Sequence, residues 1–307
     1  MPGSMNVFVV GAGRMGSQIA CEYAVGGHHV TVMGRTPAAA QQRVADAFET
    51  ALQAGIVSAD RASEARQRVR VVGDLTAFDG TPDFVCESIL EDATAKGEIL
   101  REVAEHWPEA TIASNTSSLS ISLLGRLAGA EERMLGTHYW NPPLLMPLVE
   151  VIAGDRTDPN RVEATIATLR SLGKRPVLVA RDVPGFVWNR LQLALVREAA
   201  WIVENGVATP AVVDEIVRDG LARRWRYTGP FETMALGGVD SFKRIAENLF
   251  PVLSEAQTLA GIEDRITFDP AELTAIRTWR DDGLRHELTR PERPESEARD
   301  PQRSTET

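Results

Sequence analysis

The sequence predicts an α/β fold in which a doubly wound, mostly parallel sheet is followed by an all-helical C-terminal domain. Short β-rich runs alternate with helical patterns through residues 6–180, and this alternation is typical of parallel strands joined by helices. After RDVPGF (181–186) the strand patterns stop, and Pro184 suits the first turn of a helix. The expected divisions are a sheet domain at 1–182, a helical domain at 183–284 and a charged tail at 285–307.

The strands are predicted from short runs rich in β-branched residues, and the helices from apolar residues at helical spacing. The expected strands are NVFVV (6–10), HVTVM (29–33), VRVV (69–72), DFVCES (83–88), ATIAS (110–114), LGTHY (135–139), LVEVI (148–152) and PVLVA (176–180). The clearest expected helices between the strands are 95–107 and 158–173, and the helices expected after them are 187–206, 209–221 and 238–261.

The helix expected at 187–206 is apolar on almost every side, which indicates burial from several directions. Other helices of the same domain could provide that burial, but a subunit interface is favoured, so a homodimer formed through the helical domain is expected. From Arg285 onward the chain has three prolines, many charges and almost no aliphatic residues. This composition predicts a disordered tail.

Composition argues against several classes of partner. Lys+Arg 33 against Asp+Glu 43 give a net charge of −10, and no basic run interleaves with aromatic residues, so nucleic acid is not an expected partner. No apolar run reaches the ~18 residues that span a bilayer, and the N-terminus lacks the basic segment of a signal peptide. With only Cys21 and Cys86, a disulfide framework is not expected. These features predict a reduced, soluble, cytoplasmic protein that does not bind membranes.

A glycine-rich turn follows the first strand and opens a helix that is expected to end near Gly26-Gly27. Its residues are Gly11, Ala12, Gly13, Arg14, Met15 and Gly16. In such a turn the first glycine permits the tight bend, the second lets the backbone approach a pyrophosphate, and the third lets helix and strand pack closely. The helix N-terminus adds amide donors and positive dipole. This turn therefore predicts a Rossmann-type fold and a bound dinucleotide.

The end of the second strand lacks the carboxylate that commonly holds the adenosine ribose. The chain has Gly34 at the expected acidic position and Arg35 next. Without the acid nothing repels a ribose phosphate, and Arg35 can pair with it. NADP(H) is therefore favoured as cofactor. In the alternative, Arg35 is a solvated loop residue and NAD(H) binds without the acid.

Four further segments carry a family resemblance. They are SNTSS (114–118), His138 with Asn141-Pro142, Leu148-Val149-Glu150, and PGFVWNR (184–190). With these motifs in order and at nearly equal spacing, residues 6 to about 250 resemble the L-3-hydroxyacyl-CoA dehydrogenase family. The stretches Gly220–Arg224 and Gly229–Thr233 look closest to the branch that contains lambda-crystallin and L-gulonate 3-dehydrogenase.

The resemblance implies a role for each matching position. His138 is the expected general acid/base, and Glu150 is its partner. Ser117 and Asn189 are expected to hydrogen-bond the reacting oxygen. Cofactor contacts are implied for Glu91, Lys96, Asn115 and Asn141. No metal is expected in this site.

These residue types suit hydride transfer independently of the resemblance. Reduction of a ketone leaves charge on oxygen, which must be protonated as it forms. An imidazole titrates near neutral pH, and a neighbouring carboxylate orients it and stabilises its charged form. Hydroxyl and amide donors can be directed to the place where charge develops. A single histidine such as His138 would more often be a core residue, and a single serine such as Ser117 a helix cap. Here, however, His138, Glu150, Ser117 and Asn189 all match the family spacing.

One segment departs from the family pattern. Members that act on CoA thioesters carry a lysine-rich segment where this chain has AGIVSADRASEARQ (54–67), without lysine. A CoA substrate is therefore not expected. Arg224 instead predicts a substrate with a free carboxylate, because a guanidinium binds a carboxylate through two hydrogen bonds. Alternatively, Arg223, Arg224 and Arg226 form a solvated basic edge.

The expected function is hydride transfer between NAD(P)(H) and the 3-position of a 3-hydroxy or 3-oxo acid, with reduction of a non-CoA acid as the favoured direction. Two alternatives remain. One is a ketoreductase of an aromatic polyketide pathway that reduces a β-keto acid side chain. The other is a non-catalytic, dinucleotide-binding crystallin or redox sensor, although such a protein would be expected to lack His138 or Glu150.

Overall fold

The computed structural model describes residues 3–259 and 261–288, and they form two compact units. The first unit holds the described residues up to Pro184 together with those from Ala275 onward, and the second is Gly185–Thr274. The sequence patterns did not indicate that the chain from Ala275 onward groups with the first unit.

The first unit is built on one eight-stranded sheet, which confirms the predicted fold class. The spatial order is β3-β2-β1-β4-β5-β6-β7-β8, and every neighbouring pair is parallel except β6 with β7. The strands are β1 Asn6–Val10, β2 His29–Met33, β3 Val69–Val72, β4 Phe84–Glu87, β5 Thr111–Ser114, β6 Met134–Tyr139, β7 Leu148–Ala153 and β8 Arg175–Val179.

Six helices join these strands. They are α1 Arg14–Val25, α2 Pro37–Gln53, α3 Ala59–Arg66, α4 Ala93–His106, α5 Ile121–Ala128 and α6 Pro159–Ser171. Side-chain N-caps fix where several of these helices begin. Asp92 accepts a hydrogen bond from Ala95 N at the start of α4, and Ser120 accepts one from Leu123 N at the start of α5. Such caps satisfy amide donors that have no partner inside the helix.

The core lies on both faces of the central strands. Phe8 of β1 is fully buried, and its ring packs against those of Phe78 and Trp107 at 5.5 and 4.7 Å. Cys21 and Cys86 are both buried and unpaired. Burial raises the pKa of each thiol to about 12, so neither is a reactive thiolate near neutral pH.

The second unit is helical, as predicted. Its helices are α7 Trp188–Glu204, α8 Pro210–Glu215, α9 Ala222–Trp225, α10 Pro230–Gly237 and α11 Val239–Leu249, with a π-helical turn Ile216–Leu221 between α8 and α9. The helix expected at 238–261 is shorter than predicted. It ends at Leu249 and is followed by a 3-10 turn that contains Pro251, which lacks the N–H needed to continue an α-helix.

A last helix, α12 Pro270–Leu288, extends into the residues expected to form the tail. Asp269 starts it: its carboxylate accepts from Glu272 N, and Glu272 Oε2 accepts from Asp269 N. Residues 289–307 of the predicted tail lie outside the described residues. Among the helices that the structure describes, none combines the length and apolar character needed to cross a membrane.

A buried ion pair joins Glu22 of α1 to Lys174, which lies between α6 and β8 and also hydrogen-bonds the segment between β6 and β7. Lys174 Nζ lies 3.2 Å from Glu22 Oε2 and donates to the carbonyl oxygens of Pro143 and Met146 at 2.7 and 3.1 Å. Both charged side chains are 7% exposed. Burial raises the pKa of Glu22 from 4.5 to about 7, although the charge of Lys174 and its hydrogen bond act to lower it.

We expect Glu22→Gln to change how stability depends on pH. A raised folded-state pKa means that the native carboxyl stabilises the fold at acidic pH and that this contribution is lost as pH rises toward about 7. The loss is on the order of 3 kcal/mol. Urea unfolding at about pH 5 and about pH 8 should show this fall in the wild type but not in Glu22→Gln. Glu98→Gln, which changes an exposed glutamate of α4, is the control. If the free energy of unfolding depends on pH in the same way in the wild type and in Glu22→Gln, the raised pKa of Glu22 is contradicted.

Candidate active site

The glycine turn has the space and geometry for a dinucleotide pyrophosphate. A side chain on Gly11, which has φ +104°, would lie 2.6 Å from Ser88 O, and one on Gly16 would lie 1.9 Å from Gly11 O. At Gly13 an added Cβ would meet nothing within 4 Å, so the turn is open on that side. Helix α1 begins directly afterwards at Arg14. These residues fit the cofactor that the sequence predicts.

The end of β2 is closed to any side chain. An added Cβ at Gly34 would lie 2.7 Å from Ala40 Cβ, closer than real Cβ atoms approach, and 3.0 Å from Ala12 Cβ, which is also unusually tight. The acidic residue common at this position therefore has no room here. Arg35 follows in an exposed position at the start of the loop into α2.

A buried charge cluster lies where β4 and β5 end. Lys96 Nζ is 2.6 Å from Glu87 Oε1 and 3.5 Å from Glu91 Oε2. Glu87 also accepts from Ser114 Oγ at 2.5 Å and from Ile89 N at 2.6 Å. Glu87 and Lys96 are 0% and 1% exposed, so the cluster holds the ammonium group in one place. The sequence analysis missed Glu87, whose neighbours in the chain carry no signal of this role.

Glu91 holds the segment that carries Ser117. Its Oε1 accepts from Thr116 Oγ1, Ser117 N and Ser118 N at 2.7, 2.9 and 2.9 Å. Partial burial acts to raise the pKa of Glu91, but the hydrogen bonds from Thr116 and Ser118 and the charge of Lys96 outweigh it, so the pKa is lowered. An ionised Glu91 therefore orders the loop after β5.

His138 and Glu150 form a buried pair across β6 and β7. They are directly opposite each other in the antiparallel register, and His138 Nδ1 lies 2.7 Å from Glu150 Oε2. Both side chains are at most 4% exposed. Asn115 Oδ1 accepts from Tyr139 N at 2.9 Å, which ties the end of β5 to the end of β6. An imidazole fixed in this way suits general acid/base chemistry.

The first unit brings most of the predicted site residues to one edge of the sheet. Gly11, Asn115, His138 and Glu150 follow or lie near strand ends on the side where β1, β4, β5 and β6 finish, and Glu87, which was not predicted, ends β4 on the same side. Ligands of open α/β sheets bind at this edge. Asn141 lies in the loop after β6 and is exposed.

Asn189 and Arg224 belong to the second unit, so their place in the site stays a prediction. Asn189 lies in the first turn of α7. Arg224 lines a cavity of 490 Å³ together with Tyr227, Thr228, Thr233 and Phe242. That volume is in the range of small-molecule pockets.

The chain matches two family models in succession. The model described as "3-hydroxyacyl-CoA dehydrogenase, NAD binding domain" matches residues 6–183, and "3-hydroxyacyl-CoA dehydrogenase, C-terminal domain" matches residues 185–266.

Three relatives show the range of similar proteins. The 5-formyl-3-hydroxy-2-methylpyridine 4-carboxylate 5-dehydrogenase of Mesorhizobium japonicum is 34% identical over 83% of each chain. The L-carnitine dehydrogenase of Streptomyces griseus is 35% identical over 82% of this chain and 76% of its own. Lambda-crystallin of Oryctolagus cuniculus is 29% identical over 92% and 95%. A solved structure of the first-named enzyme type, described as an NAD+ dependent dismutase, superposes with a TM-score of 0.83 at 29% identity, over 93% of this chain and 98% of that chain.

Proposed function

Since this chain belongs to the 3-hydroxyacyl-CoA dehydrogenase family and is a nicotinamide-dependent oxidoreductase, we propose that it reduces the 3-oxo group of an acid not attached to CoA. The observation that carries this proposal is the buried His138–Glu150 pair at the sheet edge that also bears the glycine turn. Family membership and the presence of both residues favour an enzyme over a non-catalytic binding protein.

The nicotinamide ring, when bound, supplies the hydride that the substrate carbon accepts. With His138 Nδ1 donating to Glu150, Nε2 is the ring nitrogen that gives its proton to the substrate oxygen as that oxygen gains charge. The negative Glu150 stabilises the imidazolium needed before transfer. Ser117 and Asn189 would donate hydrogen bonds to the same oxygen. Carbon thus gains hydride while oxygen gains H⁺, and the reverse order of events oxidises the alcohol.

We expect His138→Gln to lower kcat about 10²- to 10⁴-fold, because this is the usual contribution of a positioned acid/base group. The measurement is loss of reduced-nicotinamide absorbance with the best acid from a panel of 3-oxo acids. His29→Gln, an exposed histidine at the start of β2, is the matched control. Dinucleotide binding, followed by cofactor fluorescence, should persist in both variants. Undiminished turnover in folded His138→Gln would remove the proposed mechanism.

We propose NADP(H) as the preferred cofactor, although the related solved structure is described as NAD+ dependent. The support comes from the end of β2, where Gly34 leaves no carboxylate to bind ribose hydroxyls and Arg35 follows. A ribose phosphate would meet positive charge there instead of repulsion. A cell's reduced NADP pool would then drive the reaction toward the hydroxy acid.

The proposed substrate carries a free carboxylate that pairs with Arg224. Residues 54–67 contain no lysine for the phosphates of CoA. The cavity beside Arg224 offers the hydroxyls of Thr228 and Thr233, which lie 3.0 Å apart. The name of one relative gives a pyridine carboxylate as its substrate, and the name of another gives carnitine. Neither of these substrates is a CoA thioester.

A bulky aromatic acid is the second candidate substrate, as in the polyketide ketoreductase alternative. The observation that favours it is the pair of aromatic side chains, Tyr227 and Phe242, in the wall of the same cavity. An aromatic substrate can pack against such side chains in offset-stacked or edge-to-face arrangements.

We expect Arg224→Leu to raise KM for a 3-oxo acid about 10- to 100-fold, because a hydrogen bond to a charged group contributes about 1.5–3 kcal/mol. The methyl ester of the same acid should show a much smaller change. Arg223→Leu, the neighbouring exposed arginine, is the control. If acid and ester lose affinity equally, Arg224 belongs to a solvated basic edge and does not bind the carboxylate.

We also propose a homodimer formed through the second unit. Ala200 is the one residue of helix α7 that is buried, while Leu191 and Leu193 are 61% and 57% exposed, so the described residues do not provide the burial expected for this helix. Phe231 and Phe250 are 81% and 72% exposed on the same unit. Monomeric proteins rarely expose so much apolar surface, and a second copy would cover it.

Sedimentation velocity at micromolar concentration should therefore show a species of twice 33.5 kDa. Leu193→Glu should shift the equilibrium to the monomer, because a charge would be buried in an apolar contact. Leu90→Glu changes an even more exposed leucine, in the first unit, and should have no such effect. A wild-type monomer would contradict the proposal.

A further inference from the structure

We propose that Arg43, on α2, is a second specificity residue that binds the 2′-phosphate of NADP(H) together with Arg35. This role of Arg43 rests on the preference for NADP(H) proposed above. It assigns the end of β2 as a site for a phosphate monoester attached to ribose.

The position of Arg43 follows from the packing of α2 against the glycine turn. Ala40 of α2 closes over Gly34 and lies beside Ala12, as the short distances from an added Cβ at Gly34 show. Arg43 is three residues after Ala40 and so lies on the same face of the helix. Its Nη1 donates to Ala12 O at 3.3 Å, which places the guanidinium beside the glycine turn.

This place is where an adenosine ribose lies in folds of this type. The ribose occupies the space between the glycine turn and the end of β2, next to the position held here by Gly34. A group on its 2′-oxygen would therefore meet residues that follow β2, such as Arg35, and residues that contact the glycine turn, such as Arg43.

The charges around this space favour an anion. Among the described residues, no carboxylate lies within ion-pair distance of Arg35 or Arg43. Asp74, which follows the neighbouring strand β3, has its Oδ1 engaged by Ala77 N and Thr76 Oγ1 at 3.1 and 2.6 Å. A guanidinium has five N–H donors, and Arg43 uses one nitrogen for Ala12, so its remaining donors suit phosphate oxygens.

The test compares the dinucleotides and their adenosine fragments in the full-length protein. For Arg43→Ala we expect the ratio of kcat/KM for NADPH to that for NADH to fall about 10- to 100-fold, as for one lost hydrogen bond to a charged group. The Kd of 2′,5′-ADP should rise by a similar factor, and much more than the Kd of 5′-ADP. Arg43→Lys should recover part of the loss, because it restores charge without the planar fork.

Arg61→Ala is the matched control, because Arg61 is also exposed and also donates one hydrogen bond to a backbone carbonyl, Val25 O at 3.5 Å. Its cofactor ratio should equal that of the wild type. Equal losses with NADPH and NADH in Arg43→Ala would mean that Arg43 only supports the turn through Ala12, and would overturn the proposal. If Arg35→Ala loses selectivity for NADPH but Arg43→Ala does not, the proposed role of Arg43 is overturned, while the preference for NADP(H) stands.

Two further outcomes separate this inference from the proposed function. If the wild type binds 2′,5′-ADP no better than 5′-ADP or inorganic phosphate, both the cofactor preference and the role of Arg43 fail. If no 3-oxo acid is reduced but 2′,5′-ADP binding still depends on Arg43, the phosphate site stands and the proposed reaction fails.

Discussion

The antiparallel pairing of β6 with β7 is the constraint on which the candidate site depends. β5 pairs with β6 in parallel and β8 pairs with β7 in parallel, so β7 and β8 both start at the edge where β1, β4, β5 and β6 end. The third residue of β7, Glu150, therefore faces the fifth residue of β6, His138. A slip of one residue in this register would turn the carboxylate to the opposite face of the sheet and leave the imidazole without it.

Two buried ion pairs fix the loops around that edge. Burying a charge is costly unless hydrogen bonds accompany the ion pair. The Glu87–Lys96 pair has such bonds, whereas in the Glu22–Lys174 pair only Lys174 has them, because the Glu22 carboxylate has no hydrogen-bond partner besides Lys174 among the described residues. Glu87 accepts from Ser114 and Ile89 besides Lys96, and Lys174 donates to Pro143 and Met146 besides its contact with Glu22. The first pair ties the ends of β4 and β5 to α4. The second ties the segment between His138 and Glu150 to the helix that opens at the glycine turn.

Local patterns in the sequence were enough to predict the sheet, because each strand is a short β-branched run between clear breaks. All eight predicted strands end within one residue of those observed. Pro251, which marks the end of α11, and the Asp269–Glu272 cap, which marks the start of α12, are visible in the sequence, but the helix predictions did not use them. Glu87, Lys174 and Arg43 had no such signal. Their partners are set by strand order and helix packing, which no spacing within the chain encodes.

The tight contact at Gly34 constrains the evolutionary path of this protein. A carboxylate cannot be introduced there in one substitution, because Ala40 and Ala12 already occupy the volume of its Cβ. Smaller residues or a displaced α2 would have to come first, and neither change alone brings a benefit to ribose recognition. The clash at Gly34 must therefore be relieved before an acidic residue can be introduced. Proteins that share this packing are expected to keep glycine at this position.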